Sequence, residues 1–409
     1  MQRRRGHSRT LSLLAALTFP AVVLARDAGA PPASSVQPKP VFSDVSVSRV
    51  PANAASRWPG FQFVQADNKG TVYVLNGSSL EVFSLGALDG ELKSRGRLKP
   101  SSGSPRVFDG AMSSSGDCWL LLGEDLHLFR RGEEVRVPSP HWAVSALAVP
   151  RDSPTVGVVP AEDGGADASR SQFDKNPPDP PLLLQLDDPD SGKWEQLVTG
   201  TYVSSDDGDP ERISPMQLVK SKHDLRLSAT PSGAIWLAYQ NAYRLIRYSP
   251  TGKRDRTLQV GDGKVHWVER SAQDWDELEK RAKADGFQFH RDHFSPMRHQ
   301  PVVRGLLAPS DSTLYAVIEV DGGLALDRYD TVEQKLQRVL LRGLPAIVGR
   351  LTLADGSDGL YIAGPLGKDG IWRVDWSLLE KAEWHDVPSA TLDGQPLASS
   401  APRAQQAKH

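Results

Sequence analysis

The chain has 409 residues, a formal net charge of −2 and a hydrophobic content of 39%. This length suits two or three average domains or one large all-β unit, and a charge so near zero excludes a general electrostatic attraction to nucleic acid or anionic lipid. Cys118 is the only cysteine, so no internal disulfide can form and stability must come from the core. Its strand-like surroundings predict a buried rather than a reactive thiol.

The N-terminal 30 residues have the organisation of a secretory signal peptide. A basic start over residues 3–9 precedes an apolar run, Leu11–Leu24. This run is shorter than the roughly 20 residues that a membrane-spanning helix needs. Small residues before Arg26 and before Pro31 predict cleavage at one of these positions and a periplasmic or secreted mature protein. Residues 31–40 are then a disordered spacer.

Residues 224–260 contain four short alternating apolar runs separated by turn residues. The runs are Leu225–Ala229, Ala234–Tyr239, Tyr243–Ser249 and Thr257–Val260. Alternation with a period of two, interrupted by tight turns, predicts a four-stranded antiparallel meander. One such sheet is the unit of a β-propeller, where it forms a single blade.

The same pattern recurs along the chain as a turn residue followed three places later by an aromatic. The aromatics are Tyr73, Trp119, Trp236, Tyr315 and Tyr361. The first two and the last two are each 46 residues apart, and the longer gaps reduce to similar units once insertions 161–181 and 264–301 are removed. A period of about 45 residues predicts an all-β fold, a six-bladed β-propeller of four-stranded antiparallel blades over residues 41–387. Residues 201–223 leave part of a seventh blade open.

Three segments lie outside the regular repeat. Residues 41–50 alternate and are a candidate for the strand that closes the ring. In the second insertion, residues 271–285 are predicted to form a helix, since Ser271 and Asp274 resemble a capping box. Residues 388–409 are polar and are predicted to be a disordered tail.

The repeats resemble the six-bladed propellers of the NHL-repeat and gluconolactonase/strictosidine-synthase-like groups over about residues 60–386. The likeness lies in the runs Asn68–Val74, Ser232–Leu237 and Ile246–Gly252. The resemblance implies the propeller fold. Gluconolactonase-like relatives also hold a divalent metal around the central channel, which makes a propeller hydrolase or lactonase the alternative function. Asp109 is the main carboxylate on the inner strands, but the family's metal ligands have no matching set here, so no cofactor is predicted.

Both insertions are expected to overhang one face of the propeller. Links between the second and third strands of a blade share a face with the links between blades, and the two insertions are of these two kinds. Long loops on a rigid scaffold often carry function. The residues predicted to contact a partner are Trp275, Phe289, His290 and His293. The alternative is that the aromatic residues dock the helix onto the propeller, and the histidine and aspartate spacing here predicts no metal site.

Three arginines recur at the start of the first strand of successive blades. Arg226, Arg304 and Arg350 lie seven or eight residues before the first turn of their blades, with His223 and His299 nearby. Because first strands line the channel, these five residues are predicted to bind an anionic ligand at its mouth on the insertion-bearing face. The alternative is that each arginine pairs with a carboxylate or backbone group of a neighbouring blade.

The sequence therefore predicts an exported, non-catalytic propeller that is a monomer. It is expected to bind a protein partner or a small anionic ligand, with no nucleic acid and no stable membrane insertion.

Overall fold

The computed structural model describes most of the chain between Phe42 and Leu397. The described ranges are 42–50, 62–67, 69–77, 79–85, 91–101, 107–113, 116–122, 125–137, 143–150, 156–161, 181–186, 190, 193–199, 225–239, 242–262, 267–284, 288–291, 296–299, 302–320, 323–344, 351–364 and 370–397. The predicted signal peptide and spacer, and the segment 201–223 that left a seventh blade open, lie outside them.

The described residues form thirty strands and two helices. The strands are β1 (Asp44–Ser46), β2 (Ser48–Arg49), β3 (Gln62–Ala66), β4 (Val72–Asn76), β5 (Glu81–Leu85), β6 (Leu92–Arg97), β7 (Val107–Met112), β8 (Cys118–Leu122), β9 (Asp125–Arg130), β10 (Glu133–Val135), β11 (Ala143–Ala148), β12 (Val156–Ala161), β13 (Pro181–Leu186), β14 (Trp194–Thr199), β15 (Leu225–Ala229), β16 (Ile235–Tyr239), β17 (Arg244–Tyr248), β18 (Arg254–Val260), β19 (Trp267–Glu269), β20 (Met297–His299), β21 (Val303–Leu307), β22 (Thr313–Val320), β23 (Gly323–Asp330), β24 (Lys335–Arg342), β25 (Thr352–Asp355), β26 (Gly359–Ala363), β27 (Ile371–Asp375), β28 (His385–Asp386), β29 (Ala390–Leu392) and β30 (Gln395–Pro396). The helices are α1 (Ala272–Ala284) and α2 (Trp376–Lys381).

Within the described residues, the strands form six four-stranded antiparallel blades, which confirms the predicted propeller. Blades 1 to 5 are β3–β6, β7–β10, β11–β14, β15–β18 and β21–β24. Blade 6 has only three strands from its own stretch of chain, β25–β27, and its fourth strand is β2 from the N-terminal side. The predicted closing strand is therefore present. The first strand of each blade lies innermost, because β15 contacts β11 and β21 of the flanking blades.

The aromatic residues of the repeat fill the spaces between blades, as expected. Trp119, Trp236 and Tyr361 are each 1% exposed, whereas Tyr73 and Tyr315 are half-buried. Trp236 of blade 4 meets Tyr329 of blade 5 edge to face, with ring centroids 5.9 Å apart. This geometry suits the quadrupoles of two aromatic rings and adds to the stabilisation from burial.

Polar side chains on the inner strands also tie neighbouring blades together. Asp109 Oδ2 of blade 2 accepts a hydrogen bond from the Leu147 amide of blade 3 at 3.1 Å. Ser228 Oγ of blade 4 accepts one from the Ala308 amide of blade 5 at 2.8 Å. Because these backbone groups lie at the seams where two sheets meet, side chains supply the partners that no ladder provides.

A buried ion pair and a phenol occupy the seam between blades 4 and 5. Asp327 Oδ1 accepts from Arg338 Nε at 2.6 Å and Oδ2 accepts from Arg338 Nη2 at 2.8 Å. The Tyr243 hydroxyl donates to Oδ2 at 2.5 Å. Burial, together with the charge of Asp327, raises the pKa of Tyr243 well above its usual value. The phenol therefore stays protonated and serves as a donor.

The second insertion contains the predicted helix, α1, held between the two strands of a hairpin, β19 and β20. The capping box is formed, since Ser271 Oγ accepts from the Asp274 amide at 3.2 Å and Asp274 Oδ2 accepts from the Ser271 amide at 2.8 Å. Insertion 161–181 joins β12 to β13, as predicted.

The prediction of a disordered tail from residue 388 is wrong for its first ten residues. β29 pairs with the outer strand of blade 4, with Leu392 opposite Leu258, and Ala390 is 6% exposed. Asp393 and Gly394 both have positive φ, 49° and 80°, and form the two-residue turn that leads into β30. An Asp-Gly pair is a strong hairpin signal, and the polar composition of the tail concealed it.

Blade 2 contains a half-buried histidine–carboxylate pair that makes folding sensitive to acid. His127 Nδ1 lies 2.6 Å from Glu134 Oε1, and the Ser101 amide donates to the same carboxylate. Although burial raises the pKa of Glu134, its hydrogen bonds to His127 and Ser101 outweigh this and lower it below 4.5. A carboxyl group with a depressed folded pKa stabilises the fold above its unfolded pKa, and that contribution is lost as pH falls through the folded pKa.

We therefore expect Glu134→Gln to be less stable than wild type at pH 5, with a gap that narrows as the pH falls to 3. Urea unfolding at several pH values in this interval measures the gap. Glu195→Gln, an exposed carboxylate of blade 3, is the control. A gap that stays constant over the interval would contradict the prediction.

Candidate functional site

The inner strands enclose a small cavity on the propeller axis. Strands from all six blades line it, and it measures about 70 Å³. A water molecule needs roughly 10–15 Å³ by this measure, so the cavity holds a few waters or one small ion. Its walls are mostly Leu, Ala and Val, with the charged side chains Asp109 and Arg226 among the described residues that line it.

Asp109 and Arg226 occupy matching places in blades 2 and 4. Each lies seven residues before the glycine of its blade's first turn, Gly116 or Gly233. Asp109 is 1% exposed and Arg226 is 5% exposed. In β15, Arg226 is paired with Ala238, at the end of the blade where the links between blades arrive. The prediction placed Arg226 on the channel wall at this end, and the structure places it there.

Hydrogen bonds fix the orientation of both side chains. Asp109 Oδ1 accepts from the Gly110 amide at 2.8 Å, while its other oxygen holds Leu147 of blade 3. Arg226 Nη1 donates to the Leu225 carbonyl at 2.7 Å. The cavity wall therefore carries the carboxylate of Asp109 and the guanidinium of Arg226. Both groups are oriented by hydrogen bonds and are desolvated by the surrounding strands.

Arg304 is turned away from this arrangement. The first strand of blade 5 has a β-bulge there, because Val303 lies opposite Ile318 while Gly305 lies opposite Val317. Arg304 is 6% exposed, and its Nε donates to Glu319 Oε2 at 2.9 Å. Arg304 therefore does not contribute to the expected ring of channel arginines. It pairs with a carboxylate, as the alternative supposed, but Glu319 belongs to β22 of the same blade and not to a neighbouring one. A bulge redirects a side chain in this way, and periodicity gives no sign of it.

The other predicted ligand contacts are not described at the level of side chains. Arg350 and His223 lie outside the described residues, and His299 is described only through its backbone in β20. Whether these residues bind an anion therefore stays a prediction.

The aromatic residues of the second insertion pack against one another. Trp275 of α1 meets Phe289 with ring centroids 6.5 Å apart, and Arg291 lies over the Trp275 ring at 4.6 Å. Both aromatics are half-buried, whereas His290 is exposed. His293 lies outside the described residues. This packing accounts for Trp275 and Phe289 within the insertion itself and leaves a role in partner binding as a prediction.

The described residues contain no group of three or more His, Cys, Asp or Glu side chains placed to hold a metal ion. In the same ranges, neither helix has the length and apolar character that crossing a membrane requires.

The described fold is that of a six-bladed β-propeller with a charged axial cavity and a helical insertion. No protein-family model and no curated protein matches the sequence.

Solved structures with a similar fold include a Bacteroides thetaiotaomicron protein of unknown function, with 12% identity, a TM-score of 0.47 and coverage of 80% of this chain and 75% of that one. Virginiamycin B lyase from Staphylococcus aureus has 11% identity and a TM-score of 0.41, covering 80% of this chain and 98% of that one. The calcium-binding protein regucalcin from Agrobacterium tumefaciens has 11% identity and a TM-score of 0.39, covering 79% and 87%. These likenesses concern the fold alone.

Proposed function

We propose that the protein is an exported, non-catalytic propeller that binds one small anionic group at the Arg226 end of its axial cavity. The observation that supports this is the buried Arg226 guanidinium on the cavity wall. A guanidinium matches the geometry of a carboxylate or phosphate. Its attraction to an anion is stronger here than at the surface, because the surrounding strands exclude water.

The volume of the cavity and its charged residues indicate that the ligand is a small group. A volume of about 70 Å³ suits one small group such as a carboxylate or a phosphate. Among the described residues that line the cavity, Arg226 is the cation and Asp109 is the carboxylate, and Asp109 accepts from the amides of Gly110 and Leu147. The anionic group belongs to a small ligand, or to an acidic side chain of a partner that docks on the insertion-bearing face.

Titration calorimetry with acetate and with inorganic phosphate tests this proposal on wild type and Arg226→Gln. One charge-assisted hydrogen bond contributes about 1.5–3 kcal/mol, so we expect Arg226→Gln to weaken anion binding at least tenfold. Arg226→Lys keeps the positive charge but lacks the paired N–H donors of the guanidinium, so we expect a loss of anion affinity intermediate between wild type and Arg226→Gln. Arg254→Gln, in the outer strand of the same blade, is the control and should bind as wild type does.

Two outcomes would contradict the proposal. One is that wild type binds neither anion, and the other is that Arg226→Gln binds as well as wild type. Stoichiometric calcium or zinc in the purified protein would instead favour the alternative, a propeller hydrolase or lactonase.

The proposal of export rests on the N-terminal 30 residues. We expect N-terminal sequencing to find a mature chain that begins at Arg26 or Pro31 in the periplasm or the medium.

A further inference from the structure

A second and larger cavity lies between blades 1 and 2. It measures about 570 Å³, within the range of pockets that hold drug-sized ligands. Its walls come from all four strands of blade 1, β3 to β6, and from β7 to β10 of blade 2, including the turn after β9. The apolar side chains at its base include Leu75, Val82, Leu98, Met112 and Phe129. We call this cavity the blade 1–2 cleft.

Cationic side chains surround the apolar base of the cleft. Those that line it are Arg95, Arg97, Lys99 and Arg131, and all four residues are exposed. Glu133 is the carboxylate among the lining residues, and it pairs with Lys99 at 2.9 Å. The described part of the cleft therefore has a clear excess of positive charge above an apolar surface.

Two of these cations are available to a ligand. Arg95 Nε donates to Ser84 Oγ at 2.8 Å, and Lys99 has its ion pair. The side chains of Arg97 and Arg131 have no hydrogen bond or ion pair with any residue that the structure describes. Each guanidinium can present its full fork to an incoming carboxylate.

Backbone geometry places the cations at the cleft. Arg131 and Gly132 form the two-residue turn between β9 and β10, with positive φ of 53° and 85°. This is the hairpin turn whose twist matches that of the flanking strands. On the other wall, β6 has a bulge at Arg95, since Gly96 lies opposite Val82 and Ser94 lies opposite Phe83. The turn and the bulge are both parts of hydrogen-bonded strands, so the cleft is formed without a ligand.

We propose that the blade 1–2 cleft binds an amphipathic carboxylate, with its apolar chain on the base and its carboxylate held by Arg97 and Arg131. Charge complementarity selects an anion, because a cationic amphiphile would meet the four basic side chains. The apolar base selects a ligand with a hydrocarbon body, since acetate or phosphate would leave that surface uncovered and gain nothing from burial. Gln65 and Ala111 line both this cleft and the axial cavity, but the charged residues of the two sites differ, and the proposal does not depend on the function proposed for the axial cavity.

Decanoate is a suitable probe, with acetate and decyltrimethylammonium as matched comparisons. We expect calorimetry to show decanoate binding, with the other two compounds at least tenfold weaker. We expect Arg97→Gln/Arg131→Gln to weaken decanoate binding at least tenfold. Lys93→Gln removes an exposed cation from the same strand, β6, outside the cleft, and should leave the affinity unchanged.

Cys118 reports on the cleft directly, because it lines the cavity and is the only cysteine in the chain. Burial and the charge of Asp117 raise the pKa of this thiol to about 12, so its labelling is slow and its rate can be followed. We expect saturating decanoate to slow thiol labelling several-fold in wild type and in Arg226→Gln, but not in the Arg97→Gln/Arg131→Gln variant.

Three results would overturn the proposal. They are equal binding of decanoate and decyltrimethylammonium, equal affinity of wild type and the double variant, and unchanged thiol labelling at saturating decanoate.

Because the two arginines are exposed, the double variant should fold, and its far-ultraviolet circular dichroism should match that of wild type. Val82→Asp places a like charge on the base and serves as a second variant, with the same tenfold loss expected. Since Arg226→Gln keeps the cleft intact, failure of the axial site and failure of the cleft are distinguishable.

Discussion

Asp327→Ala is expected to lower the free energy of unfolding by about 3–5 kcal/mol, the loss typical of removing one partner from a buried ion pair. Asp327 is 1% exposed and accepts two hydrogen bonds from Arg338, which is itself 8% exposed. Alanine would leave a buried guanidinium without its carboxylate and would also strip the Tyr243 hydroxyl of its acceptor. Urea unfolding at pH 7 measures the loss.

A double replacement separates the cost of an orphaned charge from the value of the pair. In Asp327→Leu/Arg338→Met both charges are gone and apolar groups fill the seam, which is often neutral or stabilising. We expect this variant to recover most of the stability lost in Asp327→Ala, so the two positions should be strongly non-additive. Tyr243→Phe removes the third member alone and should cost about 1–3 kcal/mol, because one buried acceptor loses a donor. An Asp327→Ala loss below about 1 kcal/mol would show that water replaces the missing carboxylate.

The features that could be predicted from the sequence are those that depend on neighbouring residues in the chain. Alternation, turn glycines and the spacing of Trp119, Trp236 and Tyr361 are local signals, and they led to the blades and their order. The capping box at Ser271 is also local, and it located the start of α1 within one residue. The insertion between β12 and β13 was recognisable because it interrupts a regular period.

The features that were missed depend on pairings between distant parts of the chain or on single-residue irregularities. β29 adds to blade 4 across more than a hundred residues of sequence, and β1 lies parallel to the outer strand of blade 5. No periodic pattern encodes such additions. The bulge at Arg304 inserts one residue, and a shift of one residue is enough to turn a side chain to the other face of a strand. Arg226 lies in a strand without a bulge, so its predicted position was correct.

The blade 1–2 cleft shows the same limit. The four cations of the cleft are Arg95, Arg97, Lys99 and Arg131. The first and the last are separated by more than thirty residues of sequence, and they come together because blades 1 and 2 are adjacent. The Arg131–Gly132 turn has a recognisable local signal, but what it faces depends on β6 of the preceding blade. Sites between blades are therefore invisible to a repeat analysis even when the repeat itself is clear.

Deleting residues 1–50 is expected to destabilise the propeller by about 5 kcal/mol relative to deleting residues 1–41. The difference is the segment that supplies β1 and β2. It donates from the Val50 amide to Ile371 at 2.8 Å and from the Val47 amide to Arg342 at 2.7 Å, and it accepts from Leu340 through the Ser43 carbonyl at 2.8 Å. Each such bond contributes about 1 kcal/mol, and burial of Val45, which is 4% exposed, adds about 1.5–3 kcal/mol.

The shorter deletion is the matched control, because it removes the predicted signal peptide and spacer but keeps every contact from Phe42 onward. The longer deletion leaves β27 at an open edge of blade 6, where unpaired amides and carbonyls can recruit a strand from another molecule. We therefore expect lower urea midpoints and concentration-dependent association by light scattering in that variant alone. A synthetic peptide of residues 42–50, added in excess, should occupy the edge by strand addition and suppress the association. Equal stability of the two deletions would mean that the ring closes through blade 1 and blade 6 contacts without the N-terminal strand.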